Sequence, residues 1–136
     1  MAPLPSIDLS DSQPTIEESN LLCKLFFKNI NPFIRVLHEA HFGKELDRYR
    51  RGRLALPREF EALLSAIYLL TINSLCPGIV HSTFSTSKWI LVARYQHACQ
   101  SALAKVDFYK TDKIHTLQAL IHYLVNLPPY VQETFY

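Results

Sequence analysis

LPREFEALLSAIYLLTINSL, residues 56–75, decides the fold. Between Ala62 and Ile72 its polar side-chain groups are hydroxyls only. A surface helix carries an apolar stripe and a charged back, whereas this one has almost no back, so it is expected to be wrapped in protein on nearly every side. Pro57 suits the first helical turn, Glu59 and Glu61 favour its positive end, and Cys76-Pro77-Gly78 stops it. The apolar run is about half of the roughly 20 residues a membrane-crossing helix needs.

The rest of the chain supplies the wrapping. Its 136 residues fit one domain, and 49% apolar against 19% charged residues is a core-forming composition. A net charge of +2 is too mild to imply nucleic-acid binding by bulk charge. Three glycines against eight prolines favour helices broken at prolines over a sandwich of strands. Cys23, Cys76 and Cys99 are odd in number and far apart, so three buried thiols are expected, with no disulfide framework and no zinc site. MAPLPSIDLSDSQP lacks a basic start and a long apolar run and is not a signal peptide. The chain is therefore expected to be soluble and intracellular, with residues 1–14 a flexible leader and 15–136 the domain.

Four main helices are predicted near 15–31, 57–75, 87–107 and 112–126, with short helical turns around 32–41 and no sheet. The first opens on a capping box, Thr15 with Glu18, and carries Leu21, Leu22, Leu25, Phe26 and Ile30 at helical spacing. Gly43 is expected to end or interrupt the short helical stretch after Pro32, and DRYRRGRLALP reads as a polar basic connection. The third helix, capped by Ser85 or Thr86, presents Ile90, Leu91, Tyr95, Ala98, Ala102 and Val106. The fourth, starting at Thr111 or Asp112, presents Ile114, Leu117, Leu120, Ile121, Leu124 and Val125. The fold class is all-α, an irregular helical bundle.

Catalytic and metal chemistry finds little footing. His38-Glu39-Ala40-His41 is one residue short of the His-Glu-x-x-His zinc pattern, and ordinary polar contacts are the better reading. No Gly-rich phosphate loop and no nucleophile elbow occurs, so no catalytic residue, cofactor or metal ligand is assigned. A pocket lined by Tyr68, Tyr95, His97 or His122 would instead favour a small helical enzyme or a small-molecule-binding protein. The one cationic run is Arg48, Arg50, Arg51 and Arg53, a candidate contact or import patch in a solvated loop diluted by Glu45, Asp47 and Glu59.

Taken together, NINPFIRVLHEAHF, YRRGRLALPREFEALLSAIYLLTINSL, LVARYQHACQSALAKVDF and LQALIHYLV resemble, in order and spacing, the opening helices of the fungal-specific transcription factor domain. That domain is the regulatory middle region of fungal zinc-cluster transcription factors. The resemblance covers Leu21 to Val125 and implies transcriptional regulation in the nucleus, the cytoplasm being the alternative. Such factors carry a six-cysteine zinc cluster beginning Cys-x-x-Cys, and none stands in this sequence, so independent sequence-specific DNA binding is not expected.

The family domain continues with further helices, so the chain is expected to be a partial domain, the third reading being a non-functional truncated product. The coat of the central helix would then stay incomplete. Phe60, Leu63, Leu64, Ile67, Leu120 and Leu124 are accordingly expected to form a partner-facing apolar surface. The partner would be a second copy or a full-length zinc-cluster factor, with no membrane involved.

Overall fold

The computed structural model describes residues 14–52, 56–107 and 113–125. Seven helices run through them in the order α1 (Ile16–Asn29), α2 (Asn31–Ile34), α3 (Glu39–Arg51), α4 (Arg58–Ser74), α5 (Pro77–Phe84), α6 (Lys88–Ala104) and α7 (Ile114–Val125). No strand occurs among the described residues. The all-α expectation holds; α1, α4, α6 and α7 stand where the four main helices were expected, and α3, with 13 residues, is a fifth of similar length.

α4 is the axis of the bundle. Every residue from Ala62 to Asn73 is buried, as is Phe60. It packs most extensively on α6, then on α1 and α7. α1 begins at the expected capping box, with Thr15 Oγ1 accepting from the Glu18 amide at 3.1 Å and Glu18 Oε1 accepting from the Thr15 amide at 3.1 Å. It buries Ser19, Leu22, Cys23 and Phe26. An aromatic chain then joins three helices, with ring centroids 5.4 Å apart for Phe27–Phe42, 5.5 Å for Phe42–Phe60 and 5.0 Å for Tyr49–Phe60. Each such pair adds about 0.5–1.5 kcal/mol beyond the apolar area it buries.

Two stretches differ from the sequence-based expectation. The residues around Gly43 and the basic run through Arg51 form one continuous helix, α3, rather than a broken turn and a loop. Phe42, Leu46 and Tyr49 recur at helical spacing and dock on the core, while three arginines in the last turn suit its negative end. That docking outweighs the roughly 1 kcal/mol a mid-helix glycine costs. His38, half of the suspected metal motif, is the N-cap of α3, its Nδ1 accepting from the His41 amide at 3.3 Å. His41 itself sits 3.2 Å from a Glu45 carboxylate oxygen.

The second difference is α5. Pro77 stops α4 as expected but also opens a new two-turn helix that buries Val80 and ends at Ser85 in the left-handed region (φ 57°). Ser87, rather than Ser85 or Thr86, caps α6, its Oγ accepting from the Trp89 amide at 3.2 Å. The inward face of α6 is Lys88, Leu91, Tyr95, Cys99 and Ala102, so Ile90, expected inside, is 40% exposed. Cys76, expected buried with the other thiols, is exposed at the α4–α5 junction. Residues 1–13, the proposed caps Thr111 and Asp112, and Arg53 lie outside the described residues.

Candidate interaction surface

The apolar surface expected on α4 and α7 is interior. Phe60, Leu63, Leu64, Ile67 and Leu120 are all less than 5% exposed. Leu124 is half-buried and packed against the core cluster. The physical reason is geometric: α1, α6 and α7 close around α4, while α3 reaches Phe60 through Phe42 and Tyr49. The described helices therefore complete their own coat. Large apolar side chains that do reach solvent are Ile16, Phe33, Ile79, Ile90 and Tyr123, each from a different helix.

Inside the bundle the polar groups are few: several bridge helices, Thr71 Oγ1 donates to the Ile67 carbonyl of its own helix at 2.8 Å, and Arg94 Nε is buried without a hydrogen-bond partner among the described residues. Ser19 Oγ of α1 shares a 2.6 Å hydrogen bond with the Tyr68 hydroxyl of α4. Arg50 of α3 donates to the same Ser19 oxygen at 2.9 Å and to Asn20 Oδ1. One residue of the suspected basic patch thus pins α3 to α1. Burial pushes the Tyr68 phenol up to about 12, against the opposing pull of the Ser19 bond. It likewise raises the thiols of Cys23 and Cys99 to about 11, and the Tyr95 phenol upward. These groups stay protonated at neutral pH and serve as core side chains. The ring centroids of Tyr68 and Tyr95 stand 5.6 Å apart in the interior, while His97 and His122 are exposed, so the four residues do not converge on a pocket. Among the described residues no group of three His, Cys, Asp or Glu side chains is placed to hold a metal ion.

At the far end of α4 stands a group the sequence reading missed. Lys88, only 2% exposed, reaches from the first turn of α6 and donates through Nζ to the carbonyl oxygens of Asn73 at 3.0 Å and Leu75 at 2.8 Å. Burial lowers its pKa from the ordinary lysine value.

Outside, the outer face of α3 presents Lys44, Asp47, Arg48 and Arg51, all exposed. These four line a shallow, open recess of about 400 Å³. No ion pair joins them to one another or to another described residue. Arg48 lies over the ring of Tyr49, 5.1 Å from the guanidinium carbon to the centroid, and donates to its hydroxyl at 3.3 Å. Lys44 joins this stripe although the sequence reading left it out. Standing between Phe42 and Leu46, Lys44 falls on one face with Arg48 and Arg51 only once α3 is known to be a helix. Glu45, on the inner side, is held instead by Lys113 Nζ, at 3.0 Å and 3.2 Å from its two oxygens.

Comparison with known proteins adds relatives to this geometry. The chain is 31% identical over 119 residues, 88% of its length, to the aurofusarin cluster transcription factor aurR2 of Gibberella zeae. It is 30% identical over 125 residues, 92% of its length, to the pyriculol/pyriculariol biosynthesis cluster transcription factor 1 of Pyricularia oryzae. It is 34% identical over 112 residues, 80% of its length, to the C6 finger domain transcription factor nscR of Trichophyton verrucosum. The matches cover 18%, 17% and 17% of those proteins, so the chain spans less than a fifth of the length of these curated relatives. No family model and no solved structure matches the chain. No described helix is long and apolar enough to cross a membrane.

Proposed function

The chain belongs with the fungal C6 zinc-cluster transcription factors as a homologue of one segment of them, and on that premise we propose that it is a non-catalytic regulatory module acting through protein association in the nucleus. The observation that carries this reading is similarity over most of the chain to several named transcription factors. Two of those names attach their bearers to a cluster, one of them a biosynthesis cluster, which supports control of such a cluster as the regulated process. The non-catalytic part is supported by the core placement of Tyr68 and Tyr95 apart from the exposed His97 and His122. Independent sequence-specific DNA reading is not part of the proposal, because base readout needs an element that enters a groove. The described cations on α3 form a single short stripe instead.

The association proposed here uses exposed side chains and leaves the buried faces of α4 closed. Deleting the coding sequence in its own host and profiling transcripts tests the regulatory reading. The expected outcome is a coordinated change across a group of neighbouring biosynthetic genes, with the tagged protein recovered in nuclei. Unchanged transcripts together with a tag confined to the cytoplasm would overturn it.

A further inference from the structure

We propose that the outer face of α3 is a docking strip for an acidic, extended segment of a partner protein, gripped by Lys44, Arg48 and Arg51. The three cations occupy one helix face at spacings of four and three residues, with one carboxylate, Asp47, among them. Their net charge of +2 equals the formal net charge of the whole chain. The helix macrodipole accounts for arginines in the last turn of α3, since they face its negative end. It does not account for Lys44, which stands in the middle of the helix.

Glu45, the acid next to Lys44, is already held by Lys113 and His41. Asp47 sits at the spacing that would let it pair with Lys44 or Arg51, yet no such pair forms. Among the described residues the three cations therefore have no ion-pair partner, and Asp47 alone offsets them on this face.

It is also held still. Phe42, Leu46 and Tyr49 seat the inner face of α3 in the core, Arg50 ties it to α1, and Tyr49 orders the Arg48 guanidinium from beside it. A preordered guanidinium loses less freedom when a carboxylate arrives, and its planar fork suits that group. Helical rise sets the charges about 6 Å and about 4.5 Å apart along the axis. Alternate residues of an extended chain stand about 6.6 Å apart, so acidic side chains at every second position can reach successive cations. A nucleic-acid duplex is the poorer fit, because duplex binding draws on phosphate contacts spread over a wide surface. Here the strip is only about 10 Å long.

The inference stands on surface charge and geometry alone, so its failure would leave the regulatory reading intact. Its test is fluorescence anisotropy of a labelled decaglutamate peptide titrated with the full chain in about 50 mM salt. Saturable binding is expected, weakening as salt rises. Arg48→Glu with Arg51→Glu should weaken it about tenfold or more. The charge-matched pair Lys28→Glu with Lys105→Glu, on exposed positions of α1 and just past α6, should change it less than about twofold. Far-ultraviolet spectra check the fold. If the arginine reversal unfolds the chain, Lys44→Gln with Arg51→Gln takes its place with the same direction of effect. Equal weakening by both reversals would reduce the strip to bulk charge and overturn the proposal, as would no saturation at millimolar protein. Tighter binding of a duplex DNA of about 20 base pairs through the same two arginines would overturn it in favour of a phosphate contact.

Discussion

Replacing Lys88 by methionine tests how the central helix is finished. α4 ends without a basic residue in its last turn, and its C-cap, Leu75, leaves the helix in an extended conformation. Carbonyls of the last turn have no partner within their own helix. Lys88 supplies one from α6, bonding the Asn73 and Leu75 oxygens, with its ammonium 5.7 Å from the centre of the Trp89 ring. A cation in the first turn of α6 opposes the dipole of its own helix, so its position makes sense only as service to α4. Hydrogen bonds to a charged group contribute about 1.5–3 kcal/mol each, and burying the ammonium offsets part of that. The depressed pKa of Lys88 records the same burial cost. Methionine keeps the apolar stem and leaves two buried carbonyls without their donor, at about 1–3 kcal/mol each. The expected net loss is about 3 kcal/mol. At about 3–5 °C per kcal/mol for a domain of this size, Tm should fall by roughly 10–15 °C. Helical ellipticity followed through thermal and urea unfolding reads the change. A loss under about 1 kcal/mol would refute the reasoning, because it would mean that those carbonyls do not depend on the ammonium.

Four further outcomes follow from the same packing. A Cβ added at Gly43 meets nothing within 4 Å, so Gly43→Ala should stabilise α3 by about 0.5–1 kcal/mol, read as a rise in the urea midpoint. Unchanged or lower stability would count against a continuous α3. Cys23 and Cys99, raised from 9.0 to about 11, and Tyr68, raised from 10.0 to about 12, keep protons when folded that the unfolded chain gives up. Their contribution is complete below pH 9 and is lost as pH climbs through 11 and 12, while Lys88, with its lowered pKa, works in the opposite direction. Under reducing conditions the urea midpoint should therefore drop steeply between pH 9 and pH 11, and a flat profile would contradict the burial of these groups. Leu64→Asp, at a position 4% exposed, should abolish cooperative unfolding at a cost above about 4 kcal/mol. Ile79→Asp, on a residue 50% exposed, should stay within about 0.5 kcal/mol. A folded Leu64→Asp protein that had merely lost self-association would restore the apolar-surface reading.

What the sequence disclosed and what it withheld divide along one physical line. Thr15 with Glu18, the apolar length of α4, and the periodicity of Leu117 and Leu120 are local signals, and each stands in the structure where the residues put it. α3 and α5 were hidden because their local signals point the other way. Gly43 and a run of arginines look like a loop, and Pro77-Gly78 looks like an ending. What makes them helices is the docking of Phe42, Leu46 and Tyr49 in one case and Val80 in the other, contacts with residues distant in the chain. The candidate surface shifted for the same reason. An apolar residue such as Leu64 can be assigned to a partner or to a neighbouring helix with equal sense until the neighbours are placed. Once α1, α6 and α7 close around α4, burial decides the matter for Leu64. The exposed cations of α3 then gain meaning by the converse argument. Arg50, from the same basic run, turns inward to Ser19, while Lys44, Arg48 and Arg51 find no carboxylate partner in the described fold. Composition treats these four residues alike; the helix phase separates the one that ties α3 to α1 from the three that face solvent.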